Sequence, residues 1–195
     1  MATKKPPLLA GHYYHLFSRG VNRQVIFFAP ENWLFFLDRM GRYFQQEYLD
    51  VLAYCLMPNH YHLLVYLRID EVSRKVLQPF GTSYSKAINK QQGRVGPLFQ
   101  GPFKAKLVDD DGYLAHLTRY IHLNPVEAGL AEGAADWPYS SYGEYVGMRK
   151  VALSRPELIL QQFGSRGAYR EFVEGEGETA GEGFLKRLSG YCEFD

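Results

Sequence analysis

LDVLAYCLMPNHYHLLVYL, residues 49–67, is the stretch that decides the fold. Its first nine residues form a nearly continuous apolar run with β-branched and aromatic members, the composition of a buried strand. Pro58-Asn59 is a turn pair, and HYHLLVYL (60–67) reads as an adjacent second strand. Side chains on a strand alternate between its faces, so His60 and His62 point the same way. Two neutral imidazoles side by side on a sheet form half of a divalent-metal site. The pair also has a plain explanation as hydrogen-bonded surface histidines, so its partners matter.

Working outward, HYYHLFSRG (12–20) reads as a first strand closed by Gly20. A helix is predicted from about Pro30 to Tyr48, with Trp33, Leu34, Leu37, Met40 and Phe44 at helical spacing. A second helix is predicted over roughly 71–91. GRVGPLFQGPFKAKLVDD (93–110) is broken by three glycines and two prolines before a short strand around Phe103–Val108. Asp110 or Asp111 then caps a third helix whose stripe includes Tyr113, Leu114, Leu117, Tyr120 and Ile121. Pro125 is expected to end it, because proline disfavours helix in the residue before it.

The resulting order is β-α-β-β-α-β-α. Its first six elements match an α+β, ferredoxin-like (split βαβ) arrangement, a four-stranded antiparallel sheet with two helices on one face. The main domain spans 11–146, and 147–195 is a C-terminal extension. DWPYSSYGEY (136–145) is aromatic enough to pack back on the domain, and 156–173 is expected to hold one or two short helices. EGEGETAGEG (174–183) reads as an acidic, glycine-rich linker.

The net charge of +1 hides an asymmetry. Residues 1–125 carry 15 Lys and Arg against 9 Asp and Glu, whereas 126–195 carry 7 against 12. Between 74 and 108 there are seven basic residues and no acid, a stripe of the kind phosphate backbones attract, although a charge run is also an ordinary solvated surface. Aromatics make up 15% of the chain and supply flat faces for a core or for stacked bases. Cys55 and Cys192 lie too far apart to suggest a zinc site or a disulfide framework. The N-terminal stretch has no apolar run long enough for a signal peptide or a membrane span, so no membrane contact and a cytoplasmic location are expected.

RYIHLNPVEAGL (119–130) supplies what the histidine pair lacks. Tyr120 and Asn124 stand four apart on a helix and share a side. Each also has a bland account, Tyr120 as a core residue and Asn124 as a helix-closing one. His116, four residues before Tyr120, could present an imidazole to the same face. A helix following the last strand can cross the open face of the sheet and bring these residues to His60 and His62.

The chain resembles the single-tyrosine HUH transposases, specifically the REP-associated tyrosine transposase group and its insertion-sequence relatives. The matching residues are SRGVNRQVIF (18–27), AYCLMPNHYHLLVY (53–66), GTSYSKAINK (81–90), GPLFQGPFKAKLV (96–108), RYIHLNPVEAGL (119–130) and WPYSSY (137–142). Tyr61 fills the middle position of the His-hydrophobic-His motif. The resemblance implies an HUH fold in which His60, His62 and Asn124 bind Mg²⁺ or Mn²⁺ and Tyr120 is the nucleophile. The implied activity is metal-dependent cleavage and strand transfer on single-stranded or hairpin (REP-like) DNA through a covalent 5′-phosphotyrosine. Arg19, Asn22, Arg23, Lys86, Lys90, Arg94, Lys104 and Lys106 are candidate DNA contacts. Monomer and homodimer stay open at this point. The rival reading is a non-catalytic nucleic-acid-binding or repressor protein on the same fold. A structural metal protein ranks last, for want of a suitably placed cysteine.

Overall fold

The computed structural model describes residues 8–109, 111–150 and 152–175. Strands β1 (Tyr13–Arg19), β2 (Leu49–Met57), β3 (His60–Leu67) and β4 (Lys104–Val108) form one sheet in the order β2-β3-β1-β4. All three pairings are antiparallel. Helices α1 (Pro30–Tyr43) and α2 (Gln78–Gln91) occupy the crossovers, as the split βαβ order requires. Helix α3 (Asp111–Glu127) follows β4 and lies against β2 and β3.

The alternation of β3 divides the interior into two cores. Tyr61, Leu63 and Val65 face α1 and α2, where they meet Phe36, Met40, Phe80, Tyr84 and Ile88. Leu64, with Cys55 and Met57 of β2, faces α3 and packs with Leu114, Leu117 and Ile121. Phe36 is the hub of the first core. It is fully buried, and its ring makes edge contacts with Phe27, Phe80 and Tyr84 at centroid distances of 5.3, 4.9 and 4.8 Å. Phe36→Ala is expected to destabilise the protein by about 3–5 kcal/mol, read as a lower urea midpoint at unchanged slope.

The β2–β3 hairpin closes through Pro58-Asn59 alone, with Met57 opposite His60. Its tip is clamped from outside: Ile26 and Phe27 donate backbone N–H groups to the Pro58 carbonyl, and Gly20 donates to that of Asn59. The chain turns sharply after β1, and a Cβ at Gly20 would lie 2.0 Å from the Gln24 carbonyl oxygen. Only glycine fits there.

Several expectations need correction. Helix α1 stops at Tyr43 rather than Tyr48, because the Gln45 side chain folds back and donates to the Gly41 carbonyl. Leu34 is 61% exposed, and Phe36 joins Met40 in the buried stripe in its place. The helix predicted over 71–91 begins with a π turn at Ser73–Leu77 before α2 proper. Pro79 lacks an N–H for the Lys75 carbonyl and its ring crowds that group, which favours the wider turn. Pro125 does not end α3, which runs on to Glu127. The chain leaves the helix at Gly129, whose φ of +66° suits glycine, with Leu130 N–H donating to the Pro125 carbonyl.

Asp110 as a cap, and the linker beyond Gly175, fall outside the described residues, as does Cys192. The 136–145 segment does return to the domain, and Tyr142 and Tyr145 of the short helix α4 (Tyr142–Tyr145) are fully buried. Helices α5 (Glu157–Leu160) and α6 (Arg166–Glu174) add Ile159, Tyr169 and Val173 to the α3-side core.

Candidate nucleic-acid processing site

The register of β1 on β3 sets out the sheet's α3-facing surface. Arg19 lies opposite His60, Phe17 opposite His62 and His15 opposite Leu64. Across β1, Lys104 lies opposite Phe17 and Lys106 opposite His15. Directly opposed residues share a face, so two histidines, a third histidine, an arginine and two lysines stand on one side of the sheet.

Helix α3 completes the group. Asn124 Oδ1 is 3.2 Å from His60 Nε2, and the Tyr120 ring meets the His62 ring edge-on at 5.5 Å. The His60 and His62 rings stand 5.0 Å apart. Four residues drawn from two separate sequence motifs therefore meet at one place. His116 instead turns its ring to Phe172 of α6, at 5.2 Å. The eight-residue β3 and the straight run of α3 through the Tyr120–Asn124 turn place these groups by backbone geometry rather than by loops.

Each histidine of the pair is oriented by a neighbour. His60 Nδ1 lies 2.6 Å from Asn59 Oδ1, and His62 Nδ1 lies 2.9 Å from His15 Nε2. Burial pushes His60 down to about 4, further lowered by Arg19 and partly opposed by the Asn124 hydrogen bond. Burial holds His62 well below the ordinary histidine range, with His60 and His15 adding to the effect. Burial, then Lys106, brings His15 down to about 3. All three rings are neutral at pH 7, the form that ligates metals. A neutral imidazole has one N–H, and at His60 the shorter contact to Asn59 takes it. In that tautomer the Nε2 lone pair and the Asn124 oxygen point into the same space, as two ligands of one cation would; in the other tautomer the contact is an N–H···O hydrogen bond. Their 3.2 Å separation is close to the roughly 3 Å between adjacent oxygen or nitrogen ligands of a small octahedral ion with ~2.1 Å bonds. Among the described residues no three His, Cys, Asp or Glu side chains are grouped to hold a metal. An ion here would take its third protein ligand from the Asn124 amide.

His15 and Asn59 are the residues that the sequence reading missed. Asn59 reads as a turn residue, and its contact with His60 follows only from the tight hairpin. His15 lies 47 residues from His62, and only the strand register reveals their contact. Such partners of ligating histidines set tautomer and ring direction.

The eight candidate DNA contacts divide between the two sides of the sheet. Arg19, Lys104 and Lys106 share the face with His60 and His62, and Lys104 Nζ stands 5.8 Å over the Phe17 ring. Asn22 and Arg23 are exposed at φ of 52° and 59°, a backbone region that arginine rarely adopts. The Asn59 amide donates to the Arg23 carbonyl at 3.3 Å, which ties that strained turn to the residue orienting His60. Lys86 and Lys90 are exposed on α2, beyond the sheet from the histidines. Lys86 lines an open cleft of about 750 Å³ between α2 and the 96–103 loop, floored by Ser18 and Tyr61. Arg94 lies 5.8 Å over Phe28 and bonds Gln24. Cys55, opposite His62 in the strand register, is buried, and burial pushes its thiol up.

The family model described as "Transposase IS200 like" matches residues 9–124. A Haemophilus influenzae protein named as a REP-associated tyrosine transposase is 31% identical over 103 residues, 48% of this chain and 58% of that protein. The chain thus spans a little over half the length of that curated relative. The solved structure of a REP-associated tyrosine transposase bound to a REP hairpin superposes with a TM-score of 0.61 at 16% identity, covering 80% of this chain and 91% of the other. That likeness establishes the α+β fold with its four-stranded antiparallel sheet. Among the described residues no helix is long and apolar enough to cross a membrane.

Proposed function

The chain belongs to the IS200-like transposase family, and from that premise we propose that it is a metal-dependent, single-tyrosine DNA nickase and strand transferase acting on hairpin or single-stranded DNA. The observation that carries the reading is the meeting of Tyr120 and Asn124 with His62 and His60 on one face of the sheet.

His60, His62 and Asn124 would hold Mg²⁺ or Mn²⁺, whose contribution when bound is to withdraw charge from the scissile phosphate and orient it. The chain's own residues do the rest. Asn59 and His15 keep Nδ1 of the two imidazoles engaged, leaving each Nε2 as the nitrogen that faces the site. The Tyr120 oxygen attacks phosphorus, its proton leaves, the bond to the 3′-oxygen breaks, and that oxygen is protonated to a free 3′-hydroxyl. The product is a 5′-phosphotyrosine, and the ester keeps the bond energy needed for rejoining. Arg19, opposite His60 in the strand register and donating to Gln100 Oε1, would steady the anionic phosphate. Lys104 and Lys106 would hold the backbone leading into the site, with Asn22 and Arg23 near the hairpin tip, and Lys86, Lys90 and Arg94 further round the surface.

The relative solved with a REP hairpin suggests the substrate to try. Incubation of full-length protein with a library of end-labelled hairpins carrying single-stranded flanks, in Mn²⁺, is expected to give a covalent protein–DNA band on a denaturing gel. EDTA is expected to abolish it. Salt-sensitive hairpin binding without any adduct would replace this reading with that of a non-catalytic binder.

A further inference from the structure

A chain of buried hydrogen bonds grips the flank of α3 opposite to the site. Tyr54 N–H donates to Ser141 Oγ at 2.9 Å, and Ser141 Oγ lies 2.8 Å from His122 Nε2. His122 Nδ1 lies 2.7 Å from the Tyr169 hydroxyl, which donates to Thr118 Oγ1 at 2.9 Å. Thr118 in turn donates to the Ala115 carbonyl at 2.7 Å. Thr118, His122, Ser141 and Tyr169 are all fully buried. With the Thr118 hydrogen given to Ala115, Thr118 accepts from Tyr169, and Tyr169 accepts from His122 Nδ1. The single Ser141 hydroxyl hydrogen then has two acceptors in reach, His122 Nε2 at 2.8 Å and the Tyr54 carbonyl at 3.2 Å, of which His122 is the nearer.

We infer that His122 and Tyr169 are positioning residues, and that α6 thereby sets the rotation of α3 that presents Tyr120 and Asn124 to the histidine pair. The inference rests on the proposed roles of Tyr120 and Asn124. The core contacts of Leu114, Leu117 and Ile121 hold α3 to the sheet, but apolar contact is non-directional and leaves the helix free to roll. Hydrogen bonds are directional, and these run from α3 to two separate anchors, α6 through Tyr169 and β2 through Ser141 and Tyr54. At helical spacing, 118 and 122 lie on one flank of the helix and 120 and 124 on the other. A roll of about 10° would move a side-chain group ~6 Å from the helix axis by roughly 1 Å, and misplacement on that scale costs about 100-fold in rate. Arg119 adds a second tie, its Nε donating to the Phe172 carbonyl of α6 at 2.8 Å.

The test compares Tyr169→Phe, His122→Leu and His122→Gln in the full chain, with hairpin DNA and Mn²⁺ at a temperature where each variant is folded. Gln keeps one donor and one acceptor and serves as the conservative rescue. Tyr169→Phe and His122→Leu are expected to lower kcat for adduct formation at least tenfold with KM within twofold of wild type, and His122→Gln to recover part of the loss. Amide hydrogen exchange is expected to rise along 113–127 in the first two. Folded variants with wild-type kcat, or an equal fall in stability and rise in KM with kcat unchanged, would overturn the inference. If wild type forms no adduct on any hairpin, the proposed function fails separately. The exchange data then decide alone: faster exchange confined to α3 upholds the pinning, and unchanged exchange refutes it.

Discussion

Tyr120→Phe is expected to reduce covalent adduct formation by at least about 10³-fold, to the limit of detection, while hairpin affinity stays within twofold of wild type. The substitution removes one oxygen and keeps the ring, so the edge-on contact with His62 at 5.5 Å is preserved. Tyr120 is half-buried rather than sealed in the core, which limits the stability lost with the hydroxyl. A nucleophile has no partial substitute in a covalent mechanism: without the phenolic oxygen no phosphotyrosine forms, and a 10³-fold loss corresponds to about 4 kcal/mol of transition-state stabilisation. Tyr113 and Tyr66 also lie toward this side of the sheet, so an undiminished adduct in Tyr120→Phe would point to a different tyrosine. Peptide mapping of the wild-type adduct makes the same assignment independently, and a labelled residue other than Tyr120 would remove it from the mechanism.

What the sequence disclosed about this site follows from what local periodicity encodes. His60 and His62 share a face because strands have a period of two, and Tyr120 and Asn124 share one because helices return after four residues. Both statements are local, and the structure agrees with both. The contact between His15 and His62 is not local, since it depends on β1 inserting between β3 and β4 and on the register that pairs Phe17 with His62. No spacing within HYYHLFSRG encodes that register. The phase of α1 was ambiguous for a different reason. Trp33, Leu34, Phe35, Phe36 and Leu37 are five apolar residues in a row, so two stripes fit equally, and the Phe36 ring among Phe27, Phe80 and Tyr84 selects the one that leaves Leu34 outside. Pro125 misled because the local rule concerns its predecessor. Asn124 keeps helical geometry here, its carbonyl accepting from Ala128 N–H at 3.0 Å, and its side chain is thereby carried to His60. The hydrogen-bond chain through His122 joins residues as far as 87 positions apart and was equally invisible.

The two histidines should separate by stability while agreeing in activity. His60→Ala and His62→Ala are each expected to lower adduct formation at least about 10³-fold and to weaken Mn²⁺ binding at least tenfold, measured by the loss of free-ion signal in an electron paramagnetic resonance titration. In the proposed set two of the three protein ligands are imidazoles, and the third is a neutral amide that would bind a divalent ion weakly alone. His60 is only partly buried, as is its Nδ1 partner Asn59 at the hairpin tip, so water can reach the space of the lost ring and the melting temperature should move less than for His62→Ala. His62 is fully buried between Phe17, His15 and Tyr120. Removing it opens a cavity and strips the buried His15 Nε2 of its partner at 2.9 Å. Those two effects together are expected to destabilise the fold by about 2–4 kcal/mol. The contrast also tests the metal assignment against a purely structural role for the pair. If His60→Ala bound Mn²⁺ as wild type does, or nicked hairpins at the wild-type rate, His60 would be no ligand, and the neutral imidazole facing Asn124 would need another explanation.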